Sequence, residues 1–368
     1  MALSTNARYE ERMQADLAEI RKKVSGVAEL IESQVGDAVH ALLEDDRALA
    51  NDVILGDRRV NRKIREIDHM AHAFIVRHAP SAGHLRYVSA VLRLDVALER
   101  IGDYASTIGR EVVQISKRPP ARVTRDVELI SHQSRRTLRQ ALAAFQEGDV
   151  ELANETYGMA GQTDSTLEKV FEELIEVGES RELPLRDVFA LLRIMNLLKR
   201  VAEQAENVCE QVLFAASGET KDPKVFRILF VDEHNDGVSQ MAEAYAQKAF
   251  PDSGTYASAG WDPVDALEPG LVEFMDRRSV DMRGKAPTRL RPIHEEPRHW
   301  HIVVGLHPEA RNHIPVLPFR TIFLDWTPAV NAEDLPAGAS EEQLDEVLKS
   351  VKLRVRDLML TLRGPDAS

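Results

Sequence analysis

Two stretches of this chain match each other at a fixed offset of 100 residues. Leu85–Ala105 lines up with Leu185–Ala205 at Leu85, Arg86, Val88, Ala90, Leu92, Arg93, Leu98, Arg100 and Ala105, each facing the same residue type one hundred positions on. Similarity this dense at one offset marks a duplicated structural unit, so the fold must be something built twice. Any two amphipathic helices would share leucines, but three recurring arginines need a common origin. Around the repeat the apolar residues fall at helical spacing. One series runs Val24, Val27, Ile31, Val35, Ala38, Val39 and Leu42; another runs Val91, Leu94, Leu98, Ile101, Ala105, Ile108, Val112 and Ile115. Steps of three and four place each series on one helix face. Pro80, Pro119-Pro120 and Pro184 stand where the chain must turn. The pattern predicts all-α duplicated three-helix bundles, with repeats at 10–118 and 119–216.

The pattern changes after a polar linker at 217–224. Phe226–Val231 is a short apolar run fit for a buried strand, and Gln240 opens a helical stretch. Tyr256–Ala259, His301–Leu306 and Arg320–Leu324 read as further strands, Leu271–Arg278 and Glu341–Leu362 as helices. Short apolar strands alternating with helices predict a separate α/β domain at 225–363 with a small four-stranded parallel sheet.

Composition narrows the function. The 368 residues carry a formal net charge of −13, with 47 Lys and Arg against 60 Asp and Glu. That balance argues against general binding to nucleic acid or to an anionic membrane, since both surfaces are negative. Cys209 is the sole cysteine, which excludes an intramolecular disulfide and any multi-cysteine metal site. The first twenty residues lack an apolar signal core, and no apolar stretch is long enough to span a bilayer. The expectation is a cytoplasmic protein without direct membrane insertion or nucleic-acid partner.

Glu99 and Asp103 lie four residues apart, on one helix face and off the apolar seam. The stretch around them, Leu98-Glu-Arg-Ile-Gly-Asp103, resembles the signature of PhoU-type phosphate-signalling regulators, which repeat it in two three-helix units. Pro80, Leu85 and Arg86 resemble that family's connection into the helix, with His84 where an Asp is usual. The resemblance covers about residues 10–216. It implies a regulator that links phosphate transporter components to a sensor kinase, and it leaves room for a homodimer. It further implies divalent or ferric metal ions on the bundle surface. Carried over by position, the ligands are Asp57 with Asn61 and Glu99 with Asp103 in the first repeat, and Asp164 with Glu168 and Glu203 in the second. Lys199 stands where the family has an acid, a cation beside a proposed cation site. A solvated acidic face is the plainer reading of the same residues.

The second half resembles low-molecular-weight tyrosine phosphatases and arsenate reductases over about 225–362. Their strand–loop–helix signature is Cys-x-x-Asn-x-x-Arg-Ser followed by Gln-Met-Ala-Glu; here the stretch is Asp232-Glu-His-Asn235-Asp-Gly-Val238-Ser239, then Gln240-Met-Ala-Glu243. Ser258-Ala-Gly260 fits the next motif. In such a loop a thiolate attacks phosphorus or arsenic, its pKa lowered by backbone N–H groups and a helix N-terminus. An arginine clamps the equatorial oxygens. Asp232 and Val238 occupy those two positions, and Asp325 or Thr327 stands near the place of the general acid. The resemblance therefore implies a pseudo-phosphatase module and no enzyme activity. Two readings stay open beside it: Asp232 as an atypical nucleophile with Mg²⁺ held by Glu233 and Asp236, and an acidic loop that recognises a cationic group on a partner. His234 and His307 point only weakly to metal.

Overall fold

The helical spacing of the first half becomes seven helices among the described residues. They are α1(Thr5–Glu44), α2(Arg47–His78), α3(Ala82–Gln114), α4(Ala121–Glu147), α5(Val150–Tyr157), α6(Ala160–Glu179) and α7(Leu185–Ser217). The computed structural model describes residues 5–218, 224–267, 269–293, 300–318, 321–327 and 339–368, less the side chains of 5–7, 162, 164, 165, 168, 269 and 366. Two compact units divide the chain, Met1–Lys221 and Asp222–Ser368. Most of the predicted 217–224 linker lies outside the described residues.

Local chemistry sets the helix ends. Asp46 caps α2 by accepting the Leu49 N–H at 2.9 Å, and Ala79 closes it in a left-handed conformation before Pro80. Pro120 leads into α4 and Pro184 into α7, positions where a missing N–H costs nothing. Gly148 and Gly218 end the same two helices at φ of 69° and 81°, the left-handed exit glycine adopts freely. The predicted count of six fails in one place. The second repeat's middle helix is broken at Gly158, where the Met159 N–H bonds to Thr156 instead of four residues back. Glycine is the poorest helix former after proline, and a tight turn replaces the α ladder there.

Both apolar series lie in one core: every residue from Val24 to Leu42 and from Val91 to Ile115 named above is at most 5% exposed. Burying side chains of this size contributes roughly 1.5–3 kcal/mol each before conformational entropy is subtracted. Two of the three recurring arginine pairs find their reason where α3 meets α7. Arg86, near the start of α3, donates to the carbonyls of Ala215 and Ala216 at the end of α7. Arg186, near the start of α7, donates to Gln114 at the end of α3 at 2.7 Å. Arg93 stacks over Phe214, and Arg193 pairs with Glu111 at 2.7 Å. Each repeat thus sends cations to the negative end of the other repeat's third helix.

The second unit holds β1(Phe226–Asp232), α8(Val238–Ala249), β2(Gly254–Gly260), α9(Pro269–Arg277), β3(Ile302–Gly305), β4(Ile322–Asp325) and α10(Glu341–Arg363). The four strands are parallel in the order β2-β1-β3-β4. Successive side chains of β1 go to opposite faces. Ile228 and Phe230 join α8 and α10 in one core, while Leu229 and Val231 join Val303 and Ile293 in another. Ser340 and Gln343 form a reciprocal capping box at the start of α10.

Candidate functional site

The loop between β1 and α8 sits at the carboxyl edge of the sheet, where parallel α/β folds bind ligands. Its centre is the Asp232 carboxylate. One oxygen accepts the Asn235 N–H at 2.7 Å and the other the Ser239 N–H at 2.9 Å, in the first turn of α8. Burial pushes the Asp232 pKa up from the usual carboxylate range, while Ser239 and the Asn235 N–H act against that shift. The Asp232 carboxyl group therefore already occupies the N–H donors that this loop offers.

The residues around it hold the loop's shape. Asn235 sits at φ 53°, a left-handed conformation that asparagine tolerates better than most residues. Its Nδ2 donates to the Ser239 hydroxyl at 2.8 Å; its Oδ1 accepts from the Thr288 N–H at 2.7 Å and from Gln240 at 3.0 Å. Glu243 accepts from Ser258 at 2.6 Å and pairs with Lys285. Gly260 is required by close approach, because a Cβ there would stand 2.5 Å from the Glu233 carbonyl. Met241 and Val238 lie in the core, at 0% and 5% exposure. Val238 thus packs inward from the position of the family's arginine. Asn235, Ser239, Glu243 and Gly260 thus hold the loop in shape around Asp232.

Beside the loop, Glu233 stands 3.8 Å from His307 and 3.9 Å from His234. The His234 ring is held by the Asp262 carbonyl at 2.9 Å; that bond, with Glu233, Asp236 and Asp262 nearby, raises its pKa. Trp261 meets His307 edge-on and stacks flat on His313 at 4.4 Å. It lines a cavity of about 330 Å³ with Leu290, Arg291 and Val316. Sequence reasoning had no signal for this aromatic wall, because Trp261 and His313 are 52 positions apart. Asp325 accepts the Thr327 N–H at 3.0 Å, closing a turn at the end of β4.

In the helical unit, α2 and α3 bring the first repeat's predicted ligands together. Glu99 and Asp103 are exposed, as their position off the seam predicts; Asp57 and Asn61 are half-buried. Asn61 donates to one Asp57 oxygen at 3.2 Å, while Oδ1 of each side chain is buried without a hydrogen-bond partner. Burial raises the Asp57 pKa, and Asp103 and Glu99 raise it further against the opposing charge of Arg110. Unpaired acceptors among mutually repelling carboxylates fit a cation. The second repeat differs, since Lys199 pairs with Glu203 at 3.4 Å and already neutralises that carboxylate. The side chains of Asp164 and Glu168 lie outside the described residues. Among the described residues no group of three or more His, Cys, Asp or Glu side chains is placed to hold a metal ion. No described helix is long and apolar enough to cross a membrane.

The family described as PhoU domain matches residues 24–112 and 127–212. The phosphate-specific transport system accessory protein PhoU homolog of Pseudomonas putida is 30% identical over 213 residues, which are 56% of this chain and 82% of that protein. The chain belongs to the PhoU family. The accessory protein PhoU of Escherichia coli K12 is 27% identical over 220 residues, 59% of this chain and 90% of its own length. The crystal structure of PhoU from Pseudomonas aeruginosa superposes with a TM-score of 0.53 at 28% identity, covering 56% of this chain and 99% of that one. Residues 227–366 match a different family, low molecular weight phosphotyrosine protein phosphatase. This PhoU-family chain therefore ends in a phosphatase-fold domain, and its PhoU relatives are accessory proteins of phosphate transport.

Proposed function

We propose that this chain is a non-enzymatic, cytoplasmic regulator of the uptake and signalling of phosphate or a related oxyanion. It works by contact with transporter components and a sensor kinase, and carries its phosphatase-fold domain as an interaction module. The observation that carries the reading is the Asp232 carboxylate, which takes the Asn235 and Ser239 N–H groups in the place where a thiolate would attack. A phosphate dianion entering this loop would meet Asp232, Glu233 and Asp236 without a guanidinium to receive it. Like charges so close repel by several kcal/mol at low effective dielectric. With both oxygens bound to backbone N–H groups, Asp232 is also a poor nucleophile. Divalent or ferric ions on Asp57, Glu99 and Asp103 would stiffen the α2–α3 face on which partners dock.

Incubation of the purified chain with an aryl phosphate, and separately with arsenate and a thiol reductant, tests the absence of catalysis. No turnover is expected; turnover that Asp232→Ala abolishes would establish the atypical enzyme instead. Affinity capture from native cells tests the partners. Transporter or kinase subunits should be recovered with the chain, in amounts that differ between phosphate-replete and phosphate-starved cells. Recovery in neither condition overturns the regulatory reading.

A further inference from the structure

In a chain with a net charge of −13, α2 carries seven Lys and Arg against four Asp and Glu. Its outward face is more basic still. Leu55, Arg58, Arg62, Arg65 and His69 follow one another in steps of three and four, with Val76 seven positions on, so all six lie along one exposed face. The arginines border an open surface groove of about 750 Å³ together with Asn61, Glu66 and His69. Among the described residues none of the three is paired with a carboxylate. Arg65 donates to the Asn61 carbonyl at 3.1 Å, and Glu66 pairs with Lys23 of α1. The flank turned to α3 carries acids instead, Asp57 and Asp68, with Glu99 and the buried Asp95 of α3 opposite them. Like charges three and four apart on one face destabilise a helix. The duplicated fold does not call for them either: counted from Asp164 as the counterpart of Asp57, Glu172 and Glu176 on α6 stand where α2 has Arg65 and His69.

We propose that this face of α2 docks an acidic helix of a protein partner, whose carboxylates meet Arg58, Arg62 and Arg65 and whose apolar side chains cover Leu55 and Val76. The spacing suits a helix. From Arg58 to His69 the steps are about 6, 4.5 and 6 Å along the axis, the same rise at which Glu or Asp recurs at i, i+4 and i+7 on a facing helix. Each guanidinium offers a carboxylate two parallel donors. Leu55 and Val76 are 66% and 87% exposed and stand at the two ends of the charged row, where apolar flanks of such a helix would rest. A nucleic acid has no apolar side chains to place there. An anionic bilayer is flat and extended, so it would also meet the acidic remainder of the chain, whereas one helix touches α2 alone. Docking here rests on the regulatory reading given above, to which it adds the face and the chemistry of the partner.

The probe is a labelled synthetic helical peptide with Glu at i, i+4 and i+7 and Leu at each end, titrated with the full chain and followed by fluorescence anisotropy. Arg58→Gln/Arg62→Gln/Arg65→Gln should weaken binding by at least about 10-fold at low salt and flatten its salt dependence. Glutamine keeps the helix propensity, so the Tm of this triple variant should stay at or slightly above that of wild type. Arg354→Gln, at an exposed arginine of α10, should bind as wild type does. Equal binding by wild type and the triple variant overturns the proposal, as does wild type that binds no peptide at millimolar concentration. Tighter binding of duplex DNA or phosphatidylglycerol vesicles than of the peptide, lost in the triple variant, would assign the face to another class of partner and overturn it too. Affinity capture from native cells separates this face from the regulatory reading. Transporter or kinase subunits should be lost from the triple variant alone; equal recovery with both proteins keeps the regulatory reading and overturns docking on α2. Their absence from both, with the peptide bound by wild type and not by the variant, overturns the regulatory reading and leaves the acidic-helix site standing.

Discussion

Asp232 and Asp95 are the same residue type, both largely withdrawn from water, and they are satisfied in opposite ways. Around Asp232 the chain supplies its own counter-dipoles, two backbone N–H groups at 2.7 and 2.9 Å. Around Asp95 it supplies none, and the nearest charges are two more carboxylates. A buried anion met by the chain's own donors completes a structure. One left without donors keeps a proton instead, and its pKa is pushed up to about 8. The loop that looks most like an active site is internally complete, and the helix pair that looks like scaffold carries an unpaired buried acid.

The largest effect should come from removing the satisfied anion. Asp232→Ala leaves the Asn235 and Ser239 N–H groups unpaired in a buried loop, and at about 1–3 kcal/mol for each group the expected loss is roughly 2–6 kcal/mol. All three tryptophans, Trp261, Trp300 and Trp326, belong to the second unit, so their fluorescence during urea unfolding reports that unit alone. An unchanged midpoint would show that the carboxylate does not organise the loop.

Removing the unsatisfied anion should act in the other direction. Asp95→Leu replaces an unpaired acid with an apolar side chain on an apolar seam. It should raise the Tm of metal-free protein by about 2–4 °C for each ~1 kcal/mol gained, followed by far-UV circular dichroism. A fall in Tm would mean that the carboxyl group supports the fold by itself.

Asp126 on α4 is an intermediate case, because its partner is another acid, Glu173 on α6. Burial and then the hydrogen bond to Glu173 raise its pKa to about 6. Between the unfolded value near 4 and that folded value, the native state keeps a proton that the unfolded chain has released. Stability of the helical unit should therefore decline as pH rises from about 4 to 6 and level off above. The change should be on the order of 1 kcal/mol after solvent screening. Asp126→Asn should flatten that window in urea midpoints measured across it; an identical slope in wild type and variant would remove the shared proton.

The smallest effect is expected at Lys199, whose pairing with Glu203 at 3.4 Å is partly exposed. Lys199→Ala should lower the unfolding free energy from chemical denaturation by no more than about 0.5 kcal/mol, since solvent-exposed pairs contribute little. A shift above ~1 kcal/mol would show that the second repeat depends on this cation in a way the first does not.

Much of the architecture was legible in the residues. The apolar series named one face of α1 and of α3, the prolines marked the turns, and the short apolar runs fell within or beside all four strands. The break at Gly158 was missed because one glycine in a helical pattern is usually tolerated, and only the local backbone shows where it is not. Asp232 and Val238 could be read directly at the two positions that the resemblance gives to a nucleophile and an arginine, since a motif frame fixes positions along the chain. Asp95 escaped notice although Asp95, Glu99 and Asp103 recur every fourth residue, because it lies beside the apolar seam and reads as one more acid in an acidic chain.

By itself the sequence determined the duplication, the change from helical to alternating architecture, and which chemical groups each loop can offer. Those properties follow from residue type and spacing along one chain. Only the tertiary structure decided which carboxylates have donors and which have none: Asp232 takes its N–H groups from the turn it starts, while Asp95 meets Asp68 from a helix 27 residues away in sequence. The reason is physical. The cost of a buried charge depends on what surrounds it in three dimensions, and packing between helices is what brings those surroundings together.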